Sequence, residues 1–252
     1  MSADCGASKI LPGNLKVHPK LNLYFGTTAI YRGFSQLEMA GRLIRFMRNG
    51  AIRFKNDFIR LDAGSVIVDG SAVLLLGGGD HRVAALSAAL VAKGGSLLGD
   101  DVTLWDPVDR FLHPVGFPIT LDRDLAHASF PALVPSPPRR RRHNQSAVPR
   151  VWPVPLRPGD LGGSYAMQAT PIGHVMMVEF RDGATAVEPI KATQAVFGAA
   201  RSVRNLEIWG ERSLIAFREL YQRVPFFRLA TSSVDDAADA IVRSLSDVER
   251  VS

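Results

Sequence analysis

Three adjacent glycines, Gly77, Gly78 and Gly79, follow the apolar run Val73-Leu74-Leu75-Leu76 and precede Asp80, His81 and Arg82. An Ala- and Leu-rich segment comes next, and a second apolar stretch ends in Asp100-Asp101. Strand, glycine loop, helix, strand and paired carboxylates is the layout of a phosphate-binding loop with a metal-binding acidic site downstream. In such a loop the glycines leave backbone N–H groups open to phosphate, a lysine reaches the phosphates, and a hydroxyl and an aspartate hold magnesium. Counted from Gly77, the motif G-x-x-x-x-G-K-S/T requires glycine, lysine and a hydroxyl at positions 82, 83 and 84, where the chain has Arg82, Val83 and Ala84. The layout is present and its working residues are not.

The elements that must position these residues are legible from pattern. Ser65 to Val68, the turn Asp69-Gly70 and Ala72 to Leu76 form a hairpin entering a buried sheet. Val83 to Lys93 is a helix closed by Gly94-Gly95, and Ser96 to Leu98 leads into the aspartates. Upstream, Asn22 to Phe25 and Thr27 to Tyr31 are short strands. Ser35-Gln36-Leu37-Glu38 is a capping box, in which serine and glutamate each satisfy a backbone N–H of the other. Leu37, Ala40, Leu43, Ile44 and Met47 give the following helix an apolar stripe, with Arg42, Arg45 and Arg48 on a solvated face and Asn49-Gly50 as its stop. Ile52 to Phe54 and Phe58 to Leu61 are strands. His174 to Phe180 and Ala184 to Glu188 form an antiparallel hairpin, and Pro189 opens a helix to Ala200. A helix from Glu211 to Arg223, a strand from Pro225 to Ala230 and a helix capped by Ser233 end the chain.

Between Pro114 and Pro158 ten prolines bracket the run Arg139, Arg140, Arg141 and Arg142. Proline lacks a backbone donor, so this stretch is expected to carry no regular element and to form an exposed loop, at about 130–158. The arginine run supplies four of the six net positive charges, so the basic balance is local. With His143 and Arg150 it offers a surface for nucleic acid, an acidic peptide or a membrane surface. The lack of interleaved aromatics disfavours base stacking. The single cysteine, Cys5, excludes an internal disulfide and fits a reducing cytoplasm. No apolar stretch reaches the length of a membrane span, and no signal peptide is expected. His113, His127, His143 and His174 have no metal-site spacing.

From Leu61-Asp62-Ala63-Gly64-Ser65-Val66, through Gly70-Ser71-Ala72-Val73-Leu74-Leu75 and Ala89-Leu90-Val91-Ala92-Lys93-Gly94, to Leu97-Leu98-Gly99-Asp100-Asp101, the chain resembles the HPr kinase family without a gap. These kinases share a core with phosphoenolpyruvate carboxykinase. Gly116-Phe117-Pro118-Ile119-Thr120-Leu121 and Arg223-Val224-Pro225-Phe226-Phe227-Arg228-Leu229 extend the resemblance over roughly 60 to 245. It implies an α/β fold, an HPr-kinase-like P-loop-type sheet core flanked by helices over 59–252, with a small N-terminal α+β extension over 1–58. By resemblance, Asp100 and Asp101 stand where the family uses aspartates for magnesium and for proton abstraction from the acceptor hydroxyl. The family's histidine before the first strand is Asp62 here.

The departures fall on the chemistry. Asp80 brings negative charge toward the phosphates, and side chains at 80 and 82 obstruct the N–H cradle. Val83 removes a charge-assisted contact, typically about 1.5–3 kcal/mol, and Ala84 a magnesium ligand. The expected function is therefore a catalytically impaired kinase homologue retained as a peptide- or protein-binding or regulatory subunit, with no cofactor. The alternative is an active serine or peptide phosphotransferase using Mg-ATP at an altered donor site, with Asp100 or Asp101 as base and His81 or Arg82 facing the phosphate. The resemblance implies a protein or peptide partner and allows an oligomer. Nucleic acid binding through the basic loop is the third reading.

Overall fold

The computed structural model describes residues 2–5, 20–33, 35–77, 81–134 and 153–249. They divide into two compact units, one of residues 1–52 and 120–155, the other of 53–119 and 156–252. The glycines Gly78 and Gly79, Asp80, and the whole run Arg139 to Arg142 lie outside the described residues.

The first unit opens with an antiparallel sheet of β1 (Ser2–Cys5), β2 (Leu21–Phe25) and β3 (Thr28–Gly33). Strand alternation turns Leu21, Leu23 and Tyr31 inward against Met39 and Leu43 of α1 (Gln36–Ile52). Ser35 Oγ accepts the Glu38 N–H at 3.2 Å, which is one arm of the expected capping box. The other arm is not made: the Glu38 carboxylate pairs with Arg123 at 3.1 Å and accepts from the Tyr31 hydroxyl, which in turn accepts the Ser35 N–H.

Two expectations for this helix are corrected. It runs through Asn49-Gly50 to Ile52, so no strand begins at Ile52. Its buried face is Glu38, Gly41, Arg48 and Ile52, and Arg48, expected on a solvated face, is fully buried with Nη2 donating to Thr120 Oγ1 at 3.4 Å. The apolar stripe ends in an exposed Met47. Gly41 decides the orientation: a Cβ there would overlap the carbonyl of Pro153, so only this face admits so close a neighbour.

The second unit continues with β4 (Ile59–Leu61), β5 (Ala63–Val68), β6 (Ser71–Leu76), α2 (Arg82–Ala92), β7 (Ser96–Gly99), β8 (Thr103–Asp106) and β9 (Phe111–His113). The chain then supplies β10 (Ile119–Asp122), α3 (Arg123–Ser129) and β11 (Pro153–Leu156), mostly to the first unit. These three elements correct the expectation that the proline-bracketed stretch holds no regular structure. Residues 119–130 contain no proline, the Asp122 carboxylate caps α3 by accepting from Asp124 N–H, and Pro153 and Pro155 sit in a two-stranded sheet that leaves one side of each strand unpaired. Residues 135–152, the heart of the expected loop, lie outside the described residues.

The second unit ends with β12 (Ser164–Tyr165), β13 (Thr170–Phe180), β14 (Ala186–Pro189), α4 (Ala192–Ala200), α5 (Leu206–Tyr221), β15 (Phe226–Thr231) and α6 (Val234–Glu249). Its main sheet runs β12-β7-β5-β6-β13-β15-β14, with β6, β13 and β15 mutually parallel, and the antiparallel β9-β8-β4 joins at the start of β13. The hairpin expected between β13 and β14 does not form, because β15 lies between them and pairs with both. Pro189 accordingly ends a strand and does not open a helix.

Both faces of the sheet are covered. Ala72, Leu74 and Leu76 pack with Ala195 and Ala199 of α4 and Phe217 and Leu220 of α5. The alternate residues face α2, where Gly64 lies against Ser87 and Leu75. The α2 and α6 helices are joined by Lys93–Asp239 at 2.6 Å. The fold is thus α/β: a large mixed sheet with helices on both sides.

Candidate functional site

Strand register gathers the candidate residues of the second unit at one end of its sheet. In the β5–β6 hairpin Ala63 pairs with Leu76, so Asp62 lies beside the exit of β6 into Gly77. In the β5–β7 pairing Ser65 stands opposite Gly99, and extending that register brings the start of β5 alongside Asp100-Asp101. Thr103 Oγ1 locks this corner from the next strand, donating to Ala63 O at 3.1 Å and contacting Ser65 Oγ at 3.0 Å. Three chain crossings, at Gly77, Asp62 and Asp101, therefore meet where the strand ends of an α/β sheet commonly open to ligands.

Asp100 and Asp101 diverge. Asp100 is 2% exposed and its carbonyl accepts the Val102 N–H at 2.7 Å, closing a tight turn. Asp101 sits in the left-handed region at φ 62° and remains half-exposed. A residue that the sequence did not single out holds it there. Arg204 Nη2 donates to the Asp101 carbonyl at 2.9 Å, approaches Asp101 Oδ1 at 3.4 Å, and pairs with Asp62 Oδ1 at 2.6 Å.

Arg204 is itself fixed by backbone: its N–H donates to Arg60 O at 2.7 Å, Val203 bridges Leu61, and Asp62 N–H donates to Ser202 O at 2.6 Å. Asn205 completes the splice, its Nδ2 donating to Phe58 O and its Oδ1 accepting the Arg60 N–H, both at 2.9 Å. The segment 202–205 between α4 and α5 is thus stitched onto β4, and one guanidinium joins two carboxylates. Arg204 lies 142 positions from Asp62, so no local pattern announces the contact.

The loop-flanking positions are occupied in other ways. Val83 is buried, and a Cβ added at Gly77 would run into its Cγ2, so position 83 packs against Gly77. Arg82 lays its guanidinium over the Phe180 ring at 4.4 Å and reaches the Phe180 carbonyl at 3.5 Å, a cation–π contact at the end of β13. His81 is exposed at the start of α2. Ser87 folds its hydroxyl back onto Val83 O at 3.1 Å, which spends the first hydroxyl of the helix on its own backbone.

The described residues flanking the loop lack several donors that a magnesium–nucleotide complex uses. Position 83 is apolar and packed, Ala84 has no ligand atom, and Asp101 and Asp62 share an internal cation. Among the described residues no group of three or more His, Cys, Asp or Glu side chains is arranged to hold a metal ion, and no helix is long and apolar enough to cross a membrane. No protein-family model and no curated protein matches the chain.

Proposed function

We propose that this protein is a catalytically impaired kinase homologue of HPr-kinase-like architecture, retained to bind a peptide or protein partner in a cytoplasmic setting. The observation that carries the reading is the Arg204 bridge between Asp62 and Asp101. Under the resemblance Asp101 belongs to the pair that handles magnesium and the acceptor proton. A guanidinium already neutralising it competes with both roles, because an anion that is paired attracts a second cation less. The buried Val83 adds to this: restoring a lysine there would place a charge where an apolar side chain now packs.

The finer fold assignment rests on order and direction. Hairpin β5–β6, loop, α2, β7 and an Asp-Asp turn follow one another as in the resembling family, and β6 lies parallel to β13. Binding without catalysis asks less of such a scaffold than phosphoryl transfer, which depends on positioned charges and metal.

The test is made with the partner recovered from the native host by crosslinking. The reading expects the complex to form equally with and without Mg-ATP and the partner's serines to keep their mass. Phosphate appearing on the partner, lost in the Asp101→Asn variant, would replace this reading with the active phosphotransferase.

A further inference from the structure

A cleft of about 610 Å³ opens on the second unit between α4 and α5, on the outer side of the helices that cover the sheet. Its walls are apolar in larger part, with Glu211 and Arg218 among the charged exceptions, and two of its side chains, Phe197 at 59% and Ile215 at 48% exposure, stand out among the exposed large hydrophobic residues. Exposed side chains of this size in one place mark an interaction surface more often than scattered single ones do.

The cleft-lining residues of α5 include Glu211, Leu214, Ile215 and Arg218. Their offsets of three, four and seven from Glu211 place them on one helical face, opposite the buried Ser213, Phe217 and Leu220. Gly210, at φ 46° and ψ −129°, breaks the helix just before this stripe, so the regular turn begins with Glu211. Seven residues separate Glu211 from Arg218, about 10.5 Å along the axis, too far for the two to pair within one helix. Among the described residues neither forms an ion pair.

This arrangement is self-complementary. The midpoint of Glu211 and Arg218 falls between Leu214 and Ile215. A two-fold axis through that midpoint, with α5 antiparallel to its copy, sets each Glu211 against Arg218 of the second copy and brings the Leu214–Ile215 pairs together. We propose that the α4–α5 face is a homodimer interface, occupied by the same face of a second copy of this chain. The acidic and basic ends of the stripe fix the register, and Phe197 and Ile215 supply the apolar anchors, as in isologous interfaces generally. This proposal stands apart from the reading of the Arg204 site.

Sedimentation velocity of the full chain over a concentration series tests it. The wild type is expected to dimerise reversibly, and Ile215→Asp to shift the equilibrium toward monomer by at least about tenfold. Charge reversal gives the sharper result. Glu211→Lys and Arg218→Glu are each expected to weaken the dimer, since each sets like charges opposite one another twice. The double variant is expected to restore it, because the pairs reform with signs exchanged. All three positions are half- or fully exposed, so circular dichroism should report an unchanged fold. A monomer at every concentration overturns the proposal. So does a dimer that ignores these substitutions, or a double variant no better than the singles.

Discussion

Replacing Arg204 by alanine removes the cation that Asp62 and Asp101 share. Both carboxylate oxygens approach the same nitrogen, at 2.6 and 3.4 Å, so they cannot lie more than about 6 Å apart. Two negative charges at that distance repel by about 0.7 kcal/mol in water and about 3 kcal/mol at an effective dielectric of 20. The three side chains are between 28% and 38% exposed, which argues for the lower half of that range. Loss of the hydrogen bond to the Asp101 carbonyl adds about 1 kcal/mol, as that bond supports a left-handed residue. Urea unfolding followed by tryptophan fluorescence should therefore show Arg204→Ala destabilised by about 2–3 kcal/mol. Raising the salt should return part of the loss, since the exposed repulsion is screened. Adding Asp62→Asn should return part of it as well, because it removes one of the two like charges. If Arg204→Ala unfolds within about 0.3 kcal/mol of wild type and neither salt nor the second substitution changes it, the guanidinium is not the counter-ion of this site.

Gly41→Ala should destabilise the first unit although alanine is the better helix former by about 1 kcal/mol, because the added Cβ meets the Pro153 carbonyl; a raised melting temperature would refute that close contact. Burial, with the neighbouring Glu38 carboxylate, pushes the Tyr31 hydroxyl above its ordinary value, outweighing its bond to Ser35. A raised folded-state value means that the folded unit keeps its proton longer than the unfolded chain. This stabilisation is complete below about pH 10 and is lost as pH rises through the folded value. Urea midpoints between about pH 8 and pH 11 should fall in wild type and fall less steeply in Tyr31→Phe; parallel slopes would refute it.

What could be read from the sequence was local. The hairpin of Ser65 to Val68 and Ala72 to Leu76 with its Asp69-Gly70 turn, helix α2 with Gly94 beyond it, and the strand leading to Asp100 all rest on short-range period and turn chemistry, and all three formed, the hairpin strands extending to Ala63–Val68 and Ser71–Leu76. The insertion of β15 between β13 and β14 was not legible, since strand partners are chosen by packing across the sheet and not by the turn at Asp182-Gly183 alone. Arg48 misled for a related reason: charge suggested solvent, while the close approach allowed by Gly41 set the helix face and Thr120 accepted a bond from the guanidinium. Within the candidate site, Asp101 was visible as part of an acidic pair, and Asp62, Arg82 and Val83 as departures from the pattern the chain resembles. Arg204 was not, because its contacts come from a segment laid down after α4 and paired with β4.

Calorimetric titration of the purified chain with Mg-ATP, Mg-GTP and pyrophosphate tests the central claim most directly. With Val83 packed, Ala84 lacking a hydroxyl and Asp101 bridged by Arg204, little remains to hold a triphosphate. No binding tighter than about millimolar is expected, a level equivalent to about −4 kcal/mol. A micromolar dissociation constant for any of the three, abolished by Asp101→Asn or Arg82→Ala, would contradict the account and establish a working donor site.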